Sequence, residues 1–384
     1  MGSNAGSRYS SSDTQTQLAE GVAVTDAKRR SAISIIAFPR GGNDYVDCFY
    51  AAVEALGVEV RDGYFSGRWL LKHVRNADYI HIHWPSFFYN APQRRKCLRG
   101  FAMFLFLLTL ARWRGVRLVW TIHNIYPHER CVIPQLDILA RRLLVKSSVL
   151  FVIHCSCAEA DVLREFPATA RRIVQIQHGH WIGYYPNTIA RSKARSLLAL
   201  TESEFVFLFL GLCRPYKNLE TLINAFEQLP GKPVLLVAGQ FQDAAYERTI
   251  RAAINRSPSR IILHSGFVRN EDMQIYLRAC NVVVTPYREI LTSGSAILAL
   301  SFGRPVIAPA IGCLRELIVE GCGFLYDSSQ QLGGLRDAMQ ASMEAIFDEM
   351  HIMAEASKLD WRKSAKIFVN NLRRPRNPQE TQQH

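Results

Sequence analysis

The stretch VVVTPYREILTSGSAILALSFGRPVIAP, residues 282–309, reads as strand, turn, helix, strand. VVVTPY and PVIAP are short apolar runs bounded by turn residues, the pattern of strands buried on both faces. Between them, SAILALSFG predicts a short apolar helix ended by Gly303. The helix opens on Thr292-Ser293-Gly294-Ser295, residue types that cap a helix and leave its first N–H groups open. A strand, helix and strand in that order form the βαβ unit of a parallel sheet. A turn of this composition at a helix start suits a phosphate, with Gly294 allowing close approach of the backbone. It has no Walker lysine and no GxGxxG, so neither a P-loop nor a dinucleotide fingerprint fits.

The same alternation extends outward in both directions. SAISIIAF (31–38), VEVRDGYF, YIHIHW, VRLVWTIH, VLFVIHC and RRIVQIQHG supply strands in the first half, with helices at 44–57, 94–113 and 134–146. A second series runs through FVFLFLG (205–211), PVLLVAG (233–239), RIILHSG (260–266), NVVVTPY (281–287) and RPVIAP (304–309). Its helices are expected near 218–229, 244–255, 271–279 and 294–302. The prediction is an α/β chain of two doubly wound Rossmann-like domains, 31–190 and 191–355, with the junction near 183–203. Ligands of such sheets lie outside the carboxyl ends of the strands, here the cleft between the halves.

A chain of 384 residues, 48% apolar, is long enough for two domains with real cores. The formal net charge of +13 points to an anionic partner. Arg94, Arg95, Lys96, Arg99, Arg112, Arg114 and Arg117 fall within 93–117, a segment without an acidic residue. It encloses GFAMFLFLLTLA (100–111), too short to cross a bilayer, which takes about 20 residues. The competing structural reading of that run is a core helix with a solvated basic end. The nine cysteines form no CxxC pair and are expected to be reduced, in a cytoplasm. Residues 1–30 and 375–384 read as loose tails. A nucleic-acid-binding protein is the reading the charge alone would suggest. No helix-turn-helix, RRM or zinc-finger signature supports it, so no nucleic-acid partner is expected.

Six of the eleven histidines stand at the carboxyl ends of three strands: His81 and His83, His123 and His128, His178 and His180. One such histidine is ordinarily structural; three neighbouring strand ends repeating the choice suggest a polar pocket. No HExxH or Cys/His spacing suggests zinc, and no metal site is expected. In the second half, GLCRPYKNLETL places Arg214 and Lys217 just before a helix, where cations and helix N–H groups together make a diphosphate pocket.

Taken together, HIHWP (81–85), TIHNIYPHE (121–129), HGH (178–180), GLCRPYK (211–217) and residues 286–309 resemble the GT-B glycosyltransferases. They are most similar to the small inverting family typified by the β-mannosyltransferase of xanthan assembly. The common retaining GT-B pattern carries two glutamates eight apart. Here the second position is Leu298, and Glu289 stands one residue off the first. The resemblance implies a GT-B fold whose segment 356–374 returns as a helix to the first domain. It implies transfer of a sugar, mannose from GDP-mannose as the best reading, β-linked and with inversion, to a polyprenyl-diphosphate-linked oligosaccharide. A retaining transferase using a UDP-sugar is the alternative.

The family needs no cofactor, and no DxD motif occurs. The expected roles are these: Arg214 and Lys217 hold the diphosphate, and Ser293, Gly294, Ser295 and Glu289 hold the nucleotide. His123 or Glu129 is the base, with Glu129 folded back toward the imidazole; Asp44 and Asp47 come next. His83, His128, His178 and His180 line the sugar pocket. The basic segment 94–117 lies on an anionic membrane surface, which makes the protein peripheral on the cytoplasmic face.

Overall fold

The computed structural model describes residues 33–373; the two expected tails lie outside them. The first sheet comprises β1 (Ser34–Phe38), β2 (Glu59–Asp62), β3 (Tyr79–Ile82), β4 (Arg117–Thr121), β5 (Ser148–Ile153) and β6 (Ile173–Gln175). Its order is β2-β1-β3-β4-β5-β6 and every pair is parallel. The second comprises β7 (Val206–Leu210), β8 (Val234–Gly239), β9 (Ile261–Ser265), β10 (Val282–Val284), β11 (Val306–Pro309) and β12 (Gly323–Tyr326). It is also fully parallel, in the order β12-β11-β10-β7-β8-β9. The strands are short apolar runs because helices cover both faces. Val206–Leu210 and Val234–Gly239 are buried at every residue.

The order of the second sheet reverses between β7 and β10. That junction is the switch point where a doubly wound sheet opens a crevice. The loop after β7 carries Arg214 and Lys217, and the loop after β10 carries Ser293, Gly294 and Ser295. Topology therefore brings together two motifs about eighty positions apart in sequence. The quoted stretch forms as read, with the helix at Gly294–Ser301.

Strand β12 escaped the sequence reading. It is led by a glycine at φ 143°, where a Cβ would stand 1.9 Å from the Val306 carbonyl oxygen. Close strand approach demands glycine at that position and so hides the apolar pattern.

Helix Arg94–Trp113 buries Cys97, Phe101, Phe104, Leu107, Leu108 and Ala111 against the first sheet. Its other face leaves Leu98, Leu105, Phe106 and Trp113 exposed among the basic residues. The core-helix reading describes the buried face, and the outer face mixes apolar and basic side chains. No helix among the described residues is long and apolar enough to cross a membrane.

The expectation that all cysteines are reduced is corrected. Cys155, after β5, and Cys313, after β11, are disulfide-bonded across a sequence separation of 158, and the bond joins the two halves. No spacing rule could pair them, since only the packing of one domain on the other makes them neighbours.

The chain closes with helix Trp361–Arg373, which buries Ala365, Phe368, Val369 and Leu372. Phe368 lies 5.1 Å from Phe49, on the first domain's helix Asp44–Glu54, and 5.0 Å from His81. This helix belongs to the first domain's core although it follows the second in sequence. Phe368→Ala should cost about 3–5 kcal/mol, the range for emptying a buried aromatic site. Urea unfolding measures it, and a loss below about 1 kcal/mol would mean that the helix is only loosely docked.

Candidate active site

Four adjacent strands of the first sheet end in histidine. His83 follows β3, His123 follows β4, His154 follows β5 and His178 follows β6, and all four are buried. Their rings stand around Tyr45, with centroids at 5.8, 4.8, 5.3 and 4.9 Å in that order. Tyr45 comes from the first turn of helix Asp44–Glu54, and Trp361 closes the cluster at 5.4 Å from it. The sequence reading counted three of these strand ends and missed His154. Its signal was present: Ile82-His83, Ile122-His123 and Ile153-His154 repeat one dipeptide at successive exits.

A hydrogen-bonded chain runs behind the arc. Thr121 Oγ1 meets His81 Nε2 at 2.7 Å, and His81 Nδ1 meets Tyr50 Oη at 2.8 Å. Tyr50 Oη meets His83 Nε2 at 2.7 Å, and His83 Nδ1 meets His123 Nε2 at 3.0 Å. A neutral imidazole has one donor and one acceptor, so this chain is polarised as a unit. Burial keeps the rings neutral by disfavouring the imidazolium. It lowers His81 to about 3, His178 to about 3 and His154 to about 4. His83 and His123 are held well below the usual value by burial first and by neighbouring imidazoles second. Burial also raises the Tyr45 phenol.

The opposite wall is cationic. Lys217 is buried, and its Nζ lies 3.2 Å from where a Cβ on Gly211 would stand; Ser295 Oγ lies 3.5 Å from that point. Gly211 has φ 122°, so the backbone as well as the space calls for glycine. Ser293 Oγ accepts the Ala296 amide at 3.2 Å and so caps the helix. The amides of Gly294 and Ser295 fall in the first turn, where a helix has no internal acceptor for its N–H groups. Arg214 Nε is buried without a hydrogen bond, although the Glu129 carboxylate stands 3.4 Å away.

Glu129 therefore pairs with Arg214 across the cleft rather than folding back on His123, as the sequence reading expected. The guanidinium outcompetes a neutral imidazole for the carboxylate. His128 lies outside the arc too: it stacks on Tyr216 at 3.8 Å and meets Glu289 at 3.0 Å. His180 accepts the Ile182 amide at 3.1 Å within its own loop. Asp44 takes the hydroxyls of Tyr184 and Tyr185, and Asp47 stands 3.7 Å from Arg40.

The two walls meet through the loop after β6. Trp181 donates its amide to Ser301 Oγ at 2.9 Å and its indole N–H to the Gly294 carbonyl at 3.3 Å. Beside this contact is a cavity of about 60 Å³ lined by His154, His178, Gln175, Gln177, Thr292 and Ser293, among others. No group of three metal-binding side chains converges among the described residues.

Residues 204–344 match the family described as glycosyl transferases group 1. The chain is 27% identical over 312 residues to the GDP-mannose:glycolipid 4-beta-D-mannosyltransferase of Xanthomonas campestris pv. campestris, covering 78% of this chain and 81% of that one. It shares the fold of the Anabaena protein HepE solved with UDP-glucose, at a TM-score of 0.66 and 16% identity, covering 88% of this chain and 99% of HepE. The chain has the GT-B fold and is a glycosyltransferase. Among other relatives, the Escherichia coli serotype-specific mannosyltransferase WbdA is 26% identical over 181 residues, 44% of the transferase and 22% of WbdA. WaaG, a glycosyltransferase of lipopolysaccharide biosynthesis, shares the fold at a TM-score of 0.61 and 14% identity, covering 89% of the transferase and 100% of WaaG.

The buried imidazoles make stability depend on pH. Their folded pKa values lie below the unfolded value of about 6.5, so the unfolded chain binds more protons as pH falls. Stability is full above about pH 6.5 and declines toward pH 4, by up to about 1.4 kcal/mol per pH unit for each ring that stays neutral. The urea midpoint should fall clearly between pH 7.5 and 5. An unchanged midpoint would mean that the folded protein protonates these rings freely.

Proposed function

We propose that the transferase moves mannose from GDP-mannose, β-linked and with inversion, onto a polyprenyl-diphosphate-linked oligosaccharide in exopolysaccharide synthesis. The observation that carries the donor half is Arg214. Its Nε is buried at the sheet's switch point with no hydrogen bond made, beside Lys217 and a helix start, and a diphosphate supplies the missing acceptor. These groups neutralise the leaving nucleoside diphosphate without a metal ion. Mannose is favoured because two relatives carry mannosyltransferase names, one of them with GDP-mannose and a glycolipid in its name. Inversion is favoured by buried Leu298, which occupies the helix position that holds a glutamate in the retaining pattern. The proton acceptor that inversion requires comes from the imidazole arc on the first wall.

A lipid-linked acceptor accords with helix Arg94–Trp113. Its outer face sets Leu98, Leu105, Phe106 and Trp113 among Arg94, Arg95, Lys96, Arg99, Arg112 and Arg114, with Phe87 exposed nearby. Apolar side chains that enter the headgroup boundary within a basic rim suit an anionic leaflet. The protein then works as a peripheral enzyme on the cytoplasmic face.

Two measurements test this reading. Incubation with GDP-mannose, UDP-glucose and other nucleotide sugars, with NMR of the product, should give a β-mannoside; an α-linked product would replace the proposal by a retaining transferase, and transfer from a UDP-sugar instead would overturn the donor. Lys217→Ala should lose about 2–4 kcal/mol of transition-state stabilisation in kcat/KM, the range for one charge-stabilising donor. Nearly unchanged turnover in the folded variant would remove Lys217 from the clamp. Separately, reversing charge at Arg94, Arg95 and Lys96 should release the protein from anionic vesicles, since each basic residue near such a surface contributes about 1 kcal/mol. Equal vesicle binding by parent and variant would assign the face another role.

A further inference from the structure

Two imidazoles of the arc are fixed as hydrogen-bond acceptors at the cleft. His154 Nδ1 lies 3.0 Å from the Ile176 carbonyl oxygen, and His178 Nδ1 lies 2.8 Å from that of Gly179. A carbonyl has no proton to give, so Nδ1 carries the hydrogen in both rings. In the neutral ring Nε2 is then a lone pair, and no ligand is needed to select that tautomer. Both rings line the cavity between the domains. His154 Nε2 is buried and has no partner, and neither has the Tyr45 hydroxyl in the same cluster. His178 Nε2 lies 3.9 Å from where a Cβ on Gly294 would stand, so it faces the turn that opens the second domain's helix. Buried polar atoms are rarely left without partners, and two in one cluster mark a site that something else completes.

We propose that His154 and His178 form the seat of the acceptor sugar's hydroxyl groups and that His178 is the base that takes the proton from the attacking one. The proposal rests on the transferase reading above. A hydroxyl fits because it donates to one lone pair while accepting from a donor such as Tyr45. Phosphate and carboxylate do not fit, since two lone pairs repel an anion. The diphosphate is thereby kept to the Lys217 wall and the nucleophile to the other, the opposed placement that in-line displacement needs.

The acceptor oxygen forms its bond to the anomeric carbon as the bond from that carbon to the diphosphate oxygen breaks. The nucleoside diphosphate leaves with that electron pair, and the hydroxyl proton passes to His178 Nε2. The negative charge arriving beside Gly294 raises the basicity that burial had lowered, and the imidazolium later returns its proton to solvent. His154 accepts from a second hydroxyl and positions the sugar.

The test uses the full chain, GDP-mannose and a short-chain polyprenyl-diphosphate-linked oligosaccharide. His178→Ala should lower kcat about 10²–10⁴-fold, the contribution of a positioned base, with GDP affinity by calorimetry unchanged within twofold. Imidazole added to His178→Gly should restore part of the turnover. His154→Ala should raise the acceptor KM about tenfold and lower kcat less. A His178→Ala variant keeping a tenth of kcat, no rescue of His178→Gly, or His123→Ala as the one inactive variant overturns the proposal.

Nitrogen-15 NMR of the parent protein decides the matter without variants or turnover. His178 Nε2 should show the lone-pair shift and move toward the hydrogen-bonded value when the oligosaccharide is added; an unchanged shift means a buried water only and overturns the seat. If the parent transfers no sugar from any nucleotide donor, the transferase reading fails, and the NMR arm still reports on the seat by itself.

Discussion

The keeping of water from four imidazoles is the constraint on which the first wall depends. A solvated histidine near neutral pH samples two tautomers and a charged form. Buried against Tyr45 and Trp361, the strand-end rings lose the charged form, and each remaining hydrogen bond then decides which nitrogen carries the proton. Two of those decisions are made by backbone carbonyls, of Ile176 just past β6 and of Gly179 in the loop that follows. The closing helix matters here because Phe368 stacks on His81 and Trp361 lies against His178. Helix Trp361–Arg373 thus packs on loops that come far earlier in the sequence.

The second wall has the opposite character. Where the first offers neutral acceptors, the second offers cations and helix N–H groups. Glycosyl transfer needs this division, because negative charge accumulates on the leaving group while the nucleophile loses a proton. The ion pair between Arg214 and Glu129 is partly exposed and poorly aligned, so it adds little stability. On the proposed function, a diphosphate, with more charge and better-placed oxygens, would take the place of the carboxylate.

Much of this was legible because parallel α/β sheets write themselves as apolar runs, and because their ligands gather where the runs end. VVVTPY and PVIAP needed only that rule, and the place of Arg214 and Lys217 beside the switch point followed from a cation pair before a helix. The residues that escaped did so for definite reasons. His154 sits in a run whose other residues are apolar, so it reads as part of a strand rather than as its exit. Strand β12 is led by a glycine that the neighbouring strand requires. Glu129 was assigned to His123 by proximity along the chain, yet the nearest full charge lies on the other domain. Cys155 and Cys313 share no local pattern, and helix Arg94–Trp113 carried an apolar and a basic pattern that sequence alone could not assign to separate faces.

The disulfide bears on how such a cleft can open. Cys155 and Cys313 also line the cavity that holds His154 and His178. Beside them, Glu316 of the second domain accepts the Cys157 amide at 2.7 Å and the Ser156 amide at 3.3 Å, at the start of the first domain's helix Ser156–Glu165. Together a covalent bond and a capped helix end hold the domains at this point. On the opposite side of the cleft, Arg214 meets Glu129 in a partly exposed ion pair, and His128 meets Glu289 at 3.0 Å. The covalent tie therefore lies on the imidazole side of the cleft, and the Arg214 side is joined by non-covalent pairs. The side held by the disulfide is the one whose tautomers the backbone has already set.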